Sequence, residues 1–270
     1  MPEPPPGPNA GRFDTAPAAA ALLRARLDRV LVSPLAAGVA PATEAEGAAV
    51  QFALAGLTGA VPPAGFKIGA TGRRMQAYLG VDTPIGGFMR GADIYRAHAE
   101  LRFADFLRPG VECEVAVRLA ADLPPGPCSF DQALAAVGEF VAGIELVENR
   151  YGDVAALGTP MLVADQMYHA AAVVGDQGGV DWRALDIGAL RGRISLDDGF
   201  SDAGVTSDLL GHPLNALALL AASPVAAAFG GLKAGQVVML GSVTPPVWLS
   251  GPAAVRVEFP PLPAVTLRLG

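Results

Sequence analysis

The sequence is poor in cysteine, histidine and clustered positive charge, and each shortage excludes a class of protein. Its two cysteines, Cys113 and Cys128, are too few for a disulfide scaffold and lack C-x-x-C spacing. Its three histidines, His98, His169 and His212, are too scattered for a histidine-rich zinc site. The net charge is −7 and no basic run occurs. We therefore expect no nucleic-acid partner, because binding phosphates requires clustered Lys and Arg.

Signals for export, membrane insertion and nucleotide binding are missing as well. The first residues, MPEPPPGPNAGRFD, lack a charged stretch followed by an apolar core, so no signal peptide is predicted. The longest apolar stretch, 215–232, is interrupted by Pro224 and Gly230, which predicts a broken, buried helix rather than a membrane span. The G-x-G-x-x-G, P-loop and G-x-S-x-G patterns are absent, although a Ser–His–Asp triad stays open. We expect a cytoplasmic protein that does not bind membranes.

The composition changes along the chain and predicts three parts. Residues 1–13 hold five prolines and little that could pack, which is typical of a disordered tail. Residues 14–62 form a helical N-terminal region, with one helix over about 18–32 and a second that begins at Thr43, where T-E-A-E is a capping pattern. Residues 63–270 form the third part, which we expect to be the catalytic domain.

Beyond Gly65, short β-like runs are separated by glycine and proline. Strands are predicted at 66–68, 112–119, 140–147, 236–240, 255–259 and 265–269, and helices at 130–137 and 214–229. Regular alternation of strands and helices is rare, which argues against a doubly wound parallel sheet. The pattern favours an α+β domain built around a mixed or barrel-like sheet.

The run VECEVAVRL at 111–119 places two carboxylates on one face of a strand. Its odd positions are apolar, whereas Glu112, Glu114 and Arg118 occupy even positions. Because strand side chains alternate between faces, Glu112 and Glu114 project together and could bind a hard cation such as Mg²⁺ or Mn²⁺. The alternative is an ordinary half-buried strand with an acidic, solvated face.

A third acid, Glu145, lies in the run GIELV, where both strand faces are apolar. A buried carboxylate without a partner is costly, so Glu145 should meet a metal or a cationic side chain such as Arg150. Lys67 lies in a similar run, GFKIG, and could transfer a proton. The alternative for Lys67 is a side chain that extends to solvent from an edge strand.

Taken in order, these and other segments resemble the 2-keto-4-pentenoate hydratase and 4-oxalocrotonate decarboxylase family of the fumarylacetoacetate hydrolase superfamily. The resemblance covers roughly residues 43–270. The matching segments are FKIG at 66–69, GVD at 80–82, RPGVECE at 108–114, GIELVENR at 143–150, VAD at 163–165, HPLNA at 212–216, GLKAG at 231–235 and GSVTPP at 241–246.

The resemblance implies a rolled mixed β-sheet of the fumarylacetoacetate hydrolase type, preceded by a helical region, and homo-oligomers are common in the family. It implies Mg²⁺ or Mn²⁺ bound by Glu112, Glu114 and Glu145. It also implies a catalytic Lys67 whose protonation state is set by Asp82. Ser242 and Thr244, in the GSVTPP segment, would line the substrate end of the pocket.

The chain departs from close hydratases at 167–171. Met-Tyr-His-Ala-Ala stands where they usually carry a run such as Ala-Ser-Ser-Gly-Gly. Bulkier side chains should reshape the pocket, so the exact substrate stays open. Tyr168 and His169 are either substrate contacts or part of the core.

The resemblance implies a lyase that adds water to a small 2-oxo acid substrate, a 2-hydroxydienoate or its 2-oxo-4-enoate tautomer, in aromatic catabolism. Two other activities stay open: a 4-oxalocrotonate-type decarboxylase and an acylpyruvate hydrolase. Hydrolysis is disfavoured because the hydrolytic branch carries a His–Glu pair near its N-terminus, whereas no histidine precedes His98 here. A different class is an inactive partner subunit of a hydratase–decarboxylase complex, which the presence of all three acids and Lys67 opposes.

Overall fold

The computed structural model describes residues 13–270. Residues 1–12 of the expected disordered tail lie outside the described residues, and Phe13 packs, partly buried, against the core. The helices in the described residues are α1 (Ala16–Asp28), α2 (Glu44–Leu57), α3 (Arg73–Leu79), α4 (Phe130–Ala136), α5 (Val154–Ala164), α6 (Pro213–Ala221) and α7 (Pro224–Ala228).

Thirteen strands form two sheets in the same part of the chain. The strands are β1 (Gly65–Gly69), β2 (Ile85–Met89), β3 (Ile94–Arg96), β4 (His98–Leu101), β5 (Pro109–Leu119), β6 (Val137–Glu148), β7 (His169–Val174), β8 (Arg191–Leu196), β9 (Ser201–Val205), β10 (Val237–Ser242), β11 (Val247–Trp248), β12 (Ala253–Glu258) and β13 (Val265–Leu269). The larger sheet has the order β2-β1-β10-β5-β6-β7-β3, with β11 paired to β5. The smaller sheet has the order β4-β13-β12-β8-β9.

The larger sheet is mixed and curls on itself. Its β1–β10 and β3–β7 pairs are parallel, and its other pairs are antiparallel. Strand β2 contacts β7 although four strands separate them in the order. The Gln166 amide also donates a hydrogen bond to the carbonyl of Phe88 in β2. All six predicted strands overlap observed ones, and the predicted absence of a doubly wound parallel sheet is confirmed.

Because side chains alternate along each strand, the two faces of this sheet have different surroundings. The odd positions of β5, such as Cys113 and Val115, belong to the main core, against which the smaller sheet packs. The even position Ala116 belongs to a separate small apolar cluster with Val141 and Met239, inside the curl. Glu112 and Glu114 continue that inner face along β5. The fold therefore turns the predicted acids toward the inside of the curled sheet.

The two predicted N-terminal helices are present as α1 and α2. The Thr43 side chain accepts from the N–H of Glu46, and the Glu46 carboxylate accepts from the N–H of Thr43, which completes the capping box. Helix α2 packs closely on α5, where a side chain at Gly47 would lie 2.4 Å from the carbonyl oxygen of Pro160. The division of the chain near residue 63 stays a prediction.

The helix predicted over 214–229 is divided in the structure, in agreement with the break predicted at Pro224. Helix α6 ends at Ala221, and α7 begins at Pro224 after the Ser223 cap. The stretch Thr206–Ala228 is long and apolar enough to cross a membrane by composition, but 56% of its most apolar window is buried inside the protein. That burial is typical of core helices.

Candidate active site

The pairing of β5 with β6 brings the three predicted acids together. Glu112 lies directly opposite Glu145 in the antiparallel register, and Glu114 lies opposite Gly143. Opposite residues on one face have Cβ atoms about 5 Å apart. One carboxylate oxygen from each of Glu112, Glu114 and Glu145 lies within 4.8 Å of the other two. Gly143 has no side chain, and the side chain of Met239 fills the space beside it: a Cβ there would lie 2.8 Å from Met239 Cε.

The acids are buried and surrounded by few positive groups. Glu114 and Glu145 are fully buried, and Glu112 is half-buried. Lys67 Nζ lies 3.5 Å from Glu145 Oε1, and His169 Nδ1 lies 2.9 Å from the same oxygen. The Gly241 N–H donates to Glu114 Oε2 at 3.0 Å. The alternative of a solvated acidic face is therefore wrong for this strand.

Arg150, the other suggested partner of Glu145, lies elsewhere. Its guanidinium binds Asp165 at 2.9 Å and Glu148 at 3.2 Å. Among the Lys and Arg side chains that the structure describes, Lys67 is the one that forms an ion pair with any of the three acids. The cluster therefore carries three acids against one ammonium group.

The electrostatics of the cluster reflect this imbalance. Burial, followed by the charge of Glu145, raises the pKa of Glu112 from 4.5 to about 8. Burial and the charges of Glu145 and Glu112 raise the pKa of Glu114 well above its usual value. Burial would also raise the pKa of Glu145, but Lys67 and His169 outweigh it and lower that pKa. Two of the three acids thus resist ionisation unless more positive charge is brought to them.

The donor set fits a hard divalent cation. Glu114 Oε1 and Glu145 Oε2 are buried and accept no hydrogen bond from the described part of the chain. Mg²⁺ and Mn²⁺ prefer oxygen ligands, and carboxylates are their usual protein ligands. The three glutamates could therefore hold such an ion.

Lys67 is buried in the middle of the sheet rather than exposed at its edge. It lies on β1, between β2 and β10, and is 1% exposed. Its Nζ donates a hydrogen bond of 2.9 Å to the carbonyl of Met167. Extension of Lys67 to solvent from an edge strand is therefore excluded.

A cavity of about 1020 Å³ opens beside the acids and Lys67. Of the predicted site residues, Lys67, Glu112, Tyr168, Ser242 and Thr244 line it. The Ser242 hydroxyl donates to the carbonyl of Thr244 at 2.7 Å and accepts from the N–H of Cys113 at 3.1 Å, so it holds the loop in place. Thr244 Oγ1 is buried and has no hydrogen-bond partner within residues 13–270.

The geometry does not support two predicted roles. Asp82 is exposed and is not among the described lining residues of the cavity, and the carboxylate that faces Lys67 is that of Glu145. The role of Asp82 in setting the protonation state of Lys67 stays a prediction. His169 is buried behind Glu145 and does not line the cavity, so its predicted substrate contact is not present. Its ring instead supports a candidate metal ligand.

The other two histidines lie away from the cavity. His98 is exposed on β4 and contacts Thr266, and His212 caps α6 by accepting from the N–H of Leu214. Among the described residues, no histidine lines the cavity. A Ser–His–Asp triad at this site is therefore excluded.

Sequence reasoning missed several residues around the site. Met167 supplies the carbonyl that binds Lys67, while Arg73 and Trp248 line the cavity. Gly241 has φ +109°, and a side chain there would lie 2.2 Å from the hydroxyl of Thr71. The glycine that begins GSVTPP was a visible signal for such a close approach.

Comparisons with known proteins agree with this architecture. No family model matches the chain. It is 34% identical to a 2-keto-4-pentenoate hydratase of Burkholderia vietnamiensis, over 68% of this chain and 69% of that protein. It is 30% identical to a 4-oxalocrotonate decarboxylase of a Pseudomonas species, over 72% of this chain and 73% of that protein.

Solved structures share the fold. A 4-oxalocrotonate decarboxylase of Pseudomonas putida G7, complexed with magnesium and adipate, matches with a TM-score of 0.84 and 23% identity, over 95% of this chain and 97% of that one. A fumarylpyruvate hydrolase of Pseudomonas aeruginosa, in complex with Mn²⁺ and pyruvate, matches with a TM-score of 0.56 and 12% identity, over 76% of this chain and 88% of that one. The shared fold is a mixed α/β fold with a curled sheet, and the chain belongs to the 2-keto-4-pentenoate hydratase and 4-oxalocrotonate decarboxylase family.

Proposed function

We propose that this chain is a divalent-metal-dependent hydratase that adds water at C4 of a 2-hydroxydienoate, after the dienol is protonated at C5 to give the conjugated 2-oxo-3-enoate. One observation carries the proposal: three buried carboxylates that lack positive charge converge beside Lys67 in the wall of a large cavity. The curated hydratases at 32–34% identity support the reaction class.

Glu112, Glu114 and Glu145 would hold Mg²⁺ or Mn²⁺. A dication and the Lys67 ammonium group together match the formal charge of three carboxylates, so the loaded site is close to neutral. When bound, the ion polarises the 2-oxo group of the substrate and stabilises the negative charge that develops on its oxygen. His169 orients Glu145 through the 2.9 Å hydrogen bond between Nδ1 and Oε1.

Lys67 would transfer the proton between Nζ and the substrate carbon chain as the dienol becomes the enone. The carbonyl of Met167 fixes the position of Nζ, so the Lys67 side chain loses less conformational freedom when the proton is transferred. Thr244 lines the cavity, and its buried hydroxyl, which has no partner among the described side chains, would be free to donate to a substrate oxygen after a small rotation. Water then adds at C4 and gives a 4-hydroxy-2-oxo acid.

The cavity favours addition of water over hydrolytic cleavage. Cleavage of an acylpyruvate requires a base beside a water aimed at a carbonyl carbon. Among the described residues, none of the three histidines lines the cavity. Addition to the conjugated 2-oxo-3-enoate requires less activation of water, because its 2-oxo group draws electrons from C4 through the C3=C4 double bond.

A decarboxylase is the second candidate, because 4-oxalocrotonate decarboxylases are among the relatives at 30% identity. The convergence of all three acids with Lys67 supports an active enzyme rather than an inactive partner subunit. A cytoplasmic location, homo-oligomers and association with a decarboxylase or hydratase partner stay predictions.

One assay tests this proposal. The protein is incubated with 2-hydroxypenta-2,4-dienoate and Mg²⁺, and we expect the conjugated absorbance to fall as a 4-hydroxy-2-oxo acid forms. EDTA should stop the reaction, and CO₂ release from oxalocrotonate should be minor. Rapid pyruvate formation from an acylpyruvate would favour the hydrolase, and rapid CO₂ release would favour the decarboxylase.

A further inference from the structure

The cavity is larger than a five-carbon acid requires. Its volume of about 1020 Å³ lies at the upper end of the roughly 300–1,000 Å³ typical of sites for drug-sized ligands. Lys67 and Glu112 contribute polar groups to its wall where the acids lie. Most of the wall is apolar, and we call the part formed by Val147 and Trp248 the apolar end.

Strand register shows where the apolar end begins. On the inner face of β6, the residue after Glu145 is Val147, which lies opposite Gly110 of β5. Gly110 has no side chain, and the indole of Trp248 covers it: a methyl group at Gly110 would lie 2.6 Å from that ring. Two residues along a strand span about 7 Å. Val147 and Trp248 thus lie about 7 Å along the strands from the Glu112–Glu145 pair.

The ring of Tyr168 extends this apolar wall, since it meets Trp248 edge to face at 5.7 Å. Met75 and Leu79, four residues apart on α3, add further apolar side chains to the lining of the cavity. From C2 to C5 a substrate spans only about 3.8 Å, as three bonds span the distance between consecutive Cα atoms. Carbons beyond C5 would therefore increase its contact with the apolar lining.

Charged groups do not favour a second carboxylate at the apolar end. Apart from Lys67, the one cationic side chain among the described lining residues is Arg73, which is exposed. Asp208 is exposed and lines the same cavity, so the two formal charges cancel. Val147 and Trp248, which is 36% exposed, offer a second carboxylate no charge partner, whereas they offer an uncharged tail an apolar contact.

We propose that the natural substrate carries an uncharged, apolar tail beyond C5, and that Trp248, Val147, Tyr168, Met75 and Leu79 form the subsite for this tail. This inference rests on the proposed function, since the metal-bound end fixes where the tail begins. The subsite would select among 2-hydroxydienoates by the size and charge of the tail.

Saturated 2-oxo acids test the subsite by binding alone, without turnover. Calorimetry with Mg²⁺ compares 2-oxopentanoate, 2-oxononanoate, 2-oxo-6-phenylhexanoate and 2-oxoheptanedioate. Each methylene that becomes buried should tighten binding about fourfold, so we expect 2-oxononanoate and the phenyl compound to bind at least tenfold tighter than 2-oxopentanoate. The dioate should bind no tighter than 2-oxopentanoate.

Variants test whether the apolar residues of the subsite cause this preference for acids with apolar tails. Trp248→Ala should reduce the preference for the phenyl compound over 2-oxopentanoate by about tenfold, and Leu79→Ala should reduce it less. Phe200→Ala, which removes an exposed apolar ring outside the cavity, should leave the preference unchanged. Melting curves show whether each variant folds.

The outcomes separate this inference from the proposed function. Equal binding of all four acids would overturn the apolar subsite and leave the hydratase proposal standing. Tightest binding of the dioate, lost in Arg73→Gln, would replace the apolar tail by a second carboxylate. If none of the acids binds with Mg²⁺, the proposed function fails, and this inference fails with it.

Discussion

Two clusters of buried carboxylates differ in how their charge is balanced. In one, Glu112, Glu114 and Glu145 share the single ammonium group of Lys67. In the other, Asp165 binds two guanidinium groups, with Arg26 Nη2 at 2.7 Å and Arg150 Nε at 2.9 Å. Both clusters contain fully buried carboxylates, so burial alone cannot distinguish a functional acid from a structural one.

The pKa values of the two clusters move in opposite directions. Burial would raise the pKa of Asp165, but the charges of Arg150 and Arg26 outweigh burial and lower it. The Tyr151 hydroxyl adds a hydrogen bond of 2.8 Å to the same carboxylate. In contrast, the pKa values of Glu112 and Glu114 are raised. Missing positive charge, rather than burial, is therefore the feature that indicates a cation site.

The Asp165 cluster, in which charge is balanced, also supports the cluster of three glutamates, in which it is unbalanced. Gln166, Met167 and Tyr168 all have positive φ, a strained conformation that persists only when the surroundings hold it. Arg150 donates to the carbonyls of Asp165 and His169, on either side of this segment. The Met167 carbonyl within it binds Lys67. The Asp165 cluster thus fixes the segment that positions Lys67, the candidate catalytic residue.

Neutralising one acid in each cluster should have opposite effects on stability, and this is the largest effect we expect. Asp165→Asn leaves the half-buried guanidinium group of Arg26 without its charge partner and the buried group of Arg150 with Glu148 alone, and it should lower the free energy of unfolding by about 3 kcal/mol. Glu114→Gln removes repulsion and should be neutral or stabilising in EDTA. Chemical denaturation with EDTA present measures both variants. Equal destabilisation by both would show that the two clusters are alike.

Lys67→Met tests whether Lys67 is chemical or structural. The variant keeps the apolar part of the side chain but loses the group that transfers the proton. We expect metal binding to be retained and turnover of the dienoate to fall by about 10²-fold or more. Lys233→Met is a matched control, because Lys233 is exposed and pairs with Asp122. Full turnover in Lys67→Met would require another base.

Metal ions should stabilise the protein through the unbalanced cluster alone. At a hundredfold excess over its Kd, Mg²⁺ or Mn²⁺ should add about 2.7 kcal/mol to the free energy of unfolding. Glu145→Gln should weaken this response, whereas a variant of the other cluster, Glu148→Gln, should keep it. Melting curves with metal or EDTA provide the measurement. A wild-type curve that is indifferent to metal would contradict the site.

The acids were predictable from sequence because strand alternation alone puts Glu112 and Glu114 on one face. Glu145 was predictable because both faces of its strand are apolar. The position of Asp82 relative to Lys67 was not predictable from sequence, because tertiary packing decides which groups surround a buried lysine. His169 was ambiguous because its ring faces Glu145 across β6 and β7, a pairing that no local pattern encodes.

Parts of the fold escaped prediction for a similar reason. Strand β7 is HAAAVV, and its alanines carry little strand preference, so its pairing with β6 and β3 decides its conformation. Strands β8 and β9 contain exposed charged residues and glycine, and the smaller sheet stabilises them. The capping box of α2, in contrast, is entirely local and was predicted correctly.

The smallest expected effect is a dependence of metal binding on pH. The two clusters differ here because a rise in pH changes the stability that Glu112 and Asp165 contribute in opposite directions. In the metal-free protein the pKa of Glu112 is raised from 4.5 to about 8, so the folded state favours the protonated acid. Its contribution to stability is full below pH 4.5 and is lost as pH rises through about 8. The lowered pKa of Asp165 acts in the opposite sense, because its contribution is present above the usual value of 3.8 and is lost as pH falls through the folded pKa.

A metal that binds Glu112 must displace its proton over the window from about pH 4.5 to 8. The affinity for Mg²⁺ should therefore rise with pH across this window, by at most about tenfold per pH unit for each proton released, and level off above it. Calorimetric titrations from pH 5.5 to 8.5, in buffers of different ionisation enthalpy, measure both the affinity and the protons released. Glu112→Gln should reduce the slope, and Glu148→Gln should not. An affinity that is constant over this range, with no proton release, would mean that Glu112 is already ionised in the metal-free protein, and the charge imbalance on which the comparison of the two clusters rests would be wrong.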